Sequence, residues 1–83
     1  MNELLEERSK THGDFSLNAH YAQKLRNMWR ASDGWASMPE VQREALDNIA
    51  LKLSRILSGQ STFRDHYQDI AGYATLAAKA CDE

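Results

Sequence analysis

The sequence has little that could staple, kink or anchor a chain. Cysteine occurs once in 83 residues, as Cys81. No intrachain disulfide can form, and a reducing, cytoplasmic setting is expected. Cys81 itself reads as a small buried apolar residue rather than a nucleophile. Proline also occurs once, at Pro39. β-Branched runs and strict apolar–polar alternation are missing, which removes strands from consideration. No apolar run approaches the ~20 residues that span a bilayer, and the acidic beginning NELLEE is unlike a signal peptide. Ten basic residues stand against twelve acidic ones, a net charge of -2 with no basic tract. Nonspecific binding to a nucleic acid backbone therefore lacks its electrostatic footprint. Walker-type, zinc-finger, nucleophile-elbow and dinucleotide glycine patterns are absent as well.

What remains is helical periodicity in a single domain, residues 1–83. The all-α reading is a small bundle of three main helices plus a short N-terminal helix. That short helix covers residues 2–10, with Asn2 as its N-cap and Gly13 closing the turn after it. A second helix is expected from Leu17 to Arg30, capped by Ser16, with an apolar stripe of Leu17, Tyr21, Leu25, Met28 and Trp29. Ser37-Met38-Pro39-Glu40 has the spacing of a capping box and opens a third helix, Pro39 to Leu57. At about 100° per residue, Leu46, Ile49, Ala50, Leu53, Ile56 and Leu57 share its core face. Glu44, Asp47, Asn48 and Arg55 fall on the opposite, solvated side. Thr62 is placed to cap a fourth helix, Phe63 to Ala80, whose core face is Phe63, Tyr67, Ile70, Ala74, Ala77 and Cys81. His66 sits at the edge of that face. A chain of this size without staples has a marginal core, so self-association is expected.

Two acidic sets stand out. Glu44 and Asp47 are three residues apart on one helix; Asp65, His66 and Asp69 are three or four apart on the next. Such spacing stacks side chains on one helical face. Carboxylates on two antiparallel neighbours are a donor set for Mg²⁺, a hard ion that prefers oxygen. Glu44, Asp47, Asp65 and Asp69 are accordingly the candidate metal ligands, and His66 is a candidate general base. Lys52 and Arg55 are candidates to contact phosphate oxygens. His12 and Asp14 flank Gly13, where backbone can approach a ligand, and are further substrate-binding candidates. The plainer reading of all these charges is a solvated, ion-paired helix surface.

The strings Arg8-x-x-x-His12-Gly13-Asp14, REALDNIALKLSRILSG (43–59) and DHYQDIAGYA (65–74) resemble a family of small phage and prophage proteins of unassigned function. More distantly they resemble the all-α nucleotide pyrophosphohydrolases of the MazG and dimeric dUTPase group, and phage nucleotide-modification-associated domains. The resemblance implies a MazG-like fold, a dimer or tetramer, and Mg²⁺-dependent hydrolysis of a nucleoside triphosphate. Glu44 and Asp47 match the Glu-x-x-Glu pair of those enzymes, with Asp in the second place. His66 and Asp69 match their Glu-x-x-Asp pair, with His in place of Glu and Asp65 as the alternative donor. The competing expectation is a non-catalytic helical oligomer that sequesters a nucleotide or a host protein. A helix-turn-helix at Ser58 to Ser61 is disfavoured, because Asp65 and Asp69 on its second helix would face phosphates.

Overall fold

The computed structural model describes residues 14–82; the expected helix over residues 2–10, and His12, lie outside them. Three helices follow in order: α1 Phe15–Arg30, α2 Glu40–Leu57 and α3 Arg64–Cys81. No strand occurs among the described residues, and none of their helices is long and apolar enough to cross a membrane. Helix α2 is the centre of the arrangement and makes its extensive contacts with α1 on one side and α3 on the other. The result is elongated, 44 × 24 × 22 Å.

Helix ends depart from the expected capping by one or two residues. Asp14, not Ser16, occupies the extended N-cap position of α1, and its side chain makes no cap hydrogen bond. The capping box is not formed: α2 starts at Glu40 with Pro39 as N-cap, so Ser37 lies two residues too far back. Its hydroxyl donates to the Gly34 carbonyl instead, at 3.3 Å. Phe63, not Thr62, precedes α3. Other groups hold these junctions. The Ser32 hydroxyl donates to the Trp29 carbonyl at the end of α1, 2.6 Å away. Arg43 donates from Nε to the Trp35 carbonyl (3.1 Å) and from Nη2 to the Ala36 carbonyl (2.7 Å). Its guanidinium also lies 5.4 Å from the Trp35 ring centre. One arginine thus ties the α1–α2 loop to the first turn of α2. After α2, Gly59 takes φ +130°, a conformation L side chains rarely adopt, and reverses the chain toward α3. The Tyr67 hydroxyl donates to the Ser61 carbonyl at 2.6 Å and holds that turn.

The buried line is made of small residues. Ala22, Ala45 and Ala50 are the buried apolar residues, with Ser54, Asn18 and His66 as buried polar ones. Ser54 is fully enclosed because its hydroxyl donates to the Leu51 carbonyl within its own helix, at 2.6 Å. The expected apolar stripes are rotated relative to this line. On α1 the buried positions are Asn18 and Ala22, while Met28 is 65% exposed and Leu17 lies open. On α2, Ala50 is buried as expected, whereas Leu46, Ile49, Leu53 and Ile56 are half-buried and Leu57 is exposed. On α3, Phe63, Tyr67, Ala74 and Cys81 are exposed, against expectation, and His66 is buried. The physical reason is the layout. Each outer helix packs extensively against α2, so a narrow line of contact is enclosed, and small side chains there let the helix axes approach. Larger apolar side chains straddle the edges of the contact. Cys81, at the last turn of α3, donates from Sγ to the Ala77 carbonyl at 3.4 Å.

This packing makes Ala50 intolerant of growth. Ala50→Leu should lower stability by about 1–3 kcal/mol through overpacking. Ala71→Leu, on the exposed side of α3, should change it by less than about 0.5 kcal/mol. Urea denaturation of both variants measures the difference.

Candidate functional site

Asp47 is the most heavily engaged of the acidic candidates, and its partners come from α1. Arg30 donates from Nη2 to Asp47 Oδ2 at 3.3 Å, and Trp29 donates from Nε1 to Oδ1 at 3.4 Å. Arg26 Nε stands 3.9 Å from Oδ1, and Arg26 Nη2 donates to the Asp47 backbone carbonyl at 3.0 Å. Arg26 and Arg30 are four residues apart, so both reach the same carboxylate from one face of α1. The expectation that Asp47 lies on a solvated face is therefore corrected: α1 covers it.

Glu44 is exposed and turned toward the other neighbour. It lines a shallow groove with Val41, Asn48, Tyr73 and Leu76. Its backbone carbonyl accepts from Asn48 Nδ2 at 3.0 Å. Asp69 on α3 pairs with Lys52 on α2, Oδ2 to Nζ 2.9 Å. Asp65 is exposed in the first turn of α3, where a negative charge complements the helix dipole. Among the described residues, no three His, Cys, Asp or Glu side chains come together in a way that could hold a metal ion. Asp47 and Asp69 are each committed to cationic side chains.

His66 is only 2% exposed, not an edge residue. Its Nε2 lies 2.8 Å from Gln60 Oε1, and its ring packs 4.8 Å from the Phe63 ring. Enclosed in this way, it braces the α2–α3 turn against the start of α3 and has no open face toward a substrate. Lys52 and Arg55, expected to work together on phosphate, are separated. Lys52 turns to α3 and Asp69, whereas Arg55 turns to α1 and lines a cleft with Asn18 and Arg26. Asp14 is exposed just ahead of α1.

Several contributors were not among the candidate site residues. Arg26 and Arg30 hold Asp47 together with Trp29, which was expected on the apolar stripe of its helix. Asn18 Oδ1 accepts from the Ser58 hydroxyl and joins the start of α1 to the end of α2. Gln42 Nε2 donates across to the Ala77 carbonyl of α3 at 2.8 Å. The i,i+4 spacing of Arg26 and Arg30 was the available signal for the first group. The other two depend on which helices become neighbours.

Compared with known protein families, curated proteins and solved structures, the chain matches none.

The two central carboxylates should differ in weight. Asp47→Ala leaves Arg26 and Arg30 without their shared counter-ion and Trp29 Nε1 without its acceptor, so a loss of about 2–3 kcal/mol is expected. Asp69→Ala removes one partner of a pair open to solvent on the Asp69 side, and should cost less than about 1 kcal/mol. Parallel thermal and denaturant melts of the two variants read the difference directly.

Proposed function

We propose that this chain is a non-catalytic helical binding module that works as a homo-oligomer, associating through the outer α2–α3 face. The carrying observation is that no apolar side chain larger than alanine is buried among the described residues. Large apolar groups gather instead around two grooves between α2 and α3. One is lined by Met38, Leu46, Ile49, Ala74 and Ala78. The other is lined by Val41, Tyr73 and Leu76, and Ala45 borders both. Leu76 is 59% exposed and Val41 48%. A second copy of the chain is the occupant this face fits best. A small domain without disulfides gains most from sharing its incomplete core with another copy, and residues 71–78 of α3 are mostly alanine, glycine and threonine.

The alternative is the MazG-like, Mg²⁺-dependent nucleoside triphosphate pyrophosphohydrolase. It requires carboxylates to converge, and the pairing of Asp47 with α1 and of Asp69 with Lys52 favours the binding module over it. Two measurements decide. Light scattering behind size exclusion should give a multiple of the 9.4 kDa chain mass, and Leu76→Glu should shift it to monomer with its helical circular dichroism retained. Incubation with Mg²⁺ or Mn²⁺ and a panel of nucleoside triphosphates should release no pyrophosphate. A monomeric wild type would remove the oligomer. Pyrophosphate release that Asp69→Ala abolishes would establish the enzyme instead.

A further inference from the structure

A second feature lies on the opposite side of α2, where α1 packs against it. Here Asn18, Ala19, Ala22 and Arg26 of α1 face Leu51 and Arg55 of α2 across a cleft of about 180 Å³. Arg26 and Arg55 line it, one from each helix. Arg26 Nε and Arg55 Nε are both buried with no hydrogen-bond acceptor among the described residues. A buried N–H on a cation is costly to leave without an acceptor. A surface arginine ordinarily avoids that cost by turning into solvent.

Among the described residues, the charges around the α1–α2 seam do not balance. Arg26, Arg30 and Arg55 contribute three positive charges, and Asp47 contributes one negative charge that it shares between Arg26 and Arg30. Arg55 has no ion pair among the described residues. The surplus is two positive charges, which matches a phosphate monoester, whose charge near neutral pH is about -1.5 to -2. A carboxylate would compensate only half of it. Donors entering from two helices also suit an acceptor with several oxygens better than a single planar carboxylate.

We propose that this cleft binds a phosphate group through Arg55 and Arg26. Its volume is below the ~300 Å³ at which pockets begin to enclose a whole drug-sized ligand. The cleft therefore takes the phosphate itself, either free or as the terminal group of a nucleotide whose remainder stays outside. Phe15 stands at the mouth, 82% exposed, and offers a ring on which a base can stack. The site is independent of the α2–α3 face, so it does not stand or fall with self-association. It also separates Arg55 from Lys52, whose charge is already paired with Asp69.

The test is calorimetric titration of the full chain, in low-salt HEPES, with inorganic phosphate, a nucleoside monophosphate and acetate. Saturable binding of phosphate, with acetate at least about tenfold weaker, is expected. Arg55→Met and Arg55→Gln should each weaken phosphate binding by at least about tenfold, the loss expected of one charge-assisted hydrogen bond. Without phosphate, Arg55→Met should melt at or above the wild-type temperature, because the unpaired cation is gone; with phosphate it should lose the saturable rise. Phe15→Ala should weaken the nucleoside monophosphate alone if a nucleotide is the natural source, and neither ligand if free phosphate is. Three results would overturn the site: no saturable binding of either phosphate ligand by wild type, equal binding by both Arg55 variants, or acetate binding as tightly as phosphate.

Discussion

Helix α2 meets both of its neighbours through alanine and serine, and that narrow contact governs the rest of the structure. Ala45, Ala50 and Ser54 let α1 and α3 come close, but enclosing small side chains removes little apolar area from water. The larger residues flank the seams and are covered on one side only. Cohesion between helices must then draw on directional contacts that are unusually prominent for so small a chain. These are the Asp47 cluster, the Asn18–Ser58 bond, the Gln42–Ala77 bond and the Lys52–Asp69 pair. The same limitation leaves Val41 of α2 and Leu76 of α3 open to solvent.

The two sides of α2 differ chemically because the two neighbours differ. Helix α1 presents arginines at positions 26 and 30, so the α1–α2 seam is cationic and draws in Asp47. Helix α3 presents alanines, Tyr73 and Leu76, so the α2–α3 side is apolar with Glu44 at its edge. Polar residues on one helix are thereby sorted by what packs beside them. Glu44 and Asp47, three residues apart, end in different environments. So do Lys52 and Arg55, also three apart. A shared helix face is a condition of sequence spacing, whereas a shared site also needs both side chains to meet the same neighbour.

Much of the fold was legible. Three long helices, their order and the positions of the two loops follow from 3.6-residue periodicity, the single proline and Gly59. Their boundaries fall within one or two residues of expectation. The capping assignments were less so, because Ser16, Ser37 and Thr62 are each set a residue or two away from the N-cap. Arg43, Ser32 and Tyr67 hold the junctions instead, through contacts that no local rule anticipates. Core membership was the least legible. A hydrophobic stripe marks the side of a helix that faces protein, but not which line within that side is enclosed. His66 shows the limit: its neighbours in sequence place it at an edge, and the turn carrying Gln60 folds over it.

By itself the amino-acid sequence determined three helices and their order, the lack of any intrachain disulfide, and carboxylates and cations set at helical intervals. Those properties depend on local backbone preference and on counting, which are complete once the chain is written down. Only the tertiary structure decided that Asp47 would be claimed by Arg26 and Arg30, that Lys52 and Arg55 would turn to opposite neighbours, and that a cationic cleft would open between α1 and α2. These are outcomes of helix rotation about α2. The rotation is set by which small side chains permit the closest approach, a choice made between segments distant in sequence.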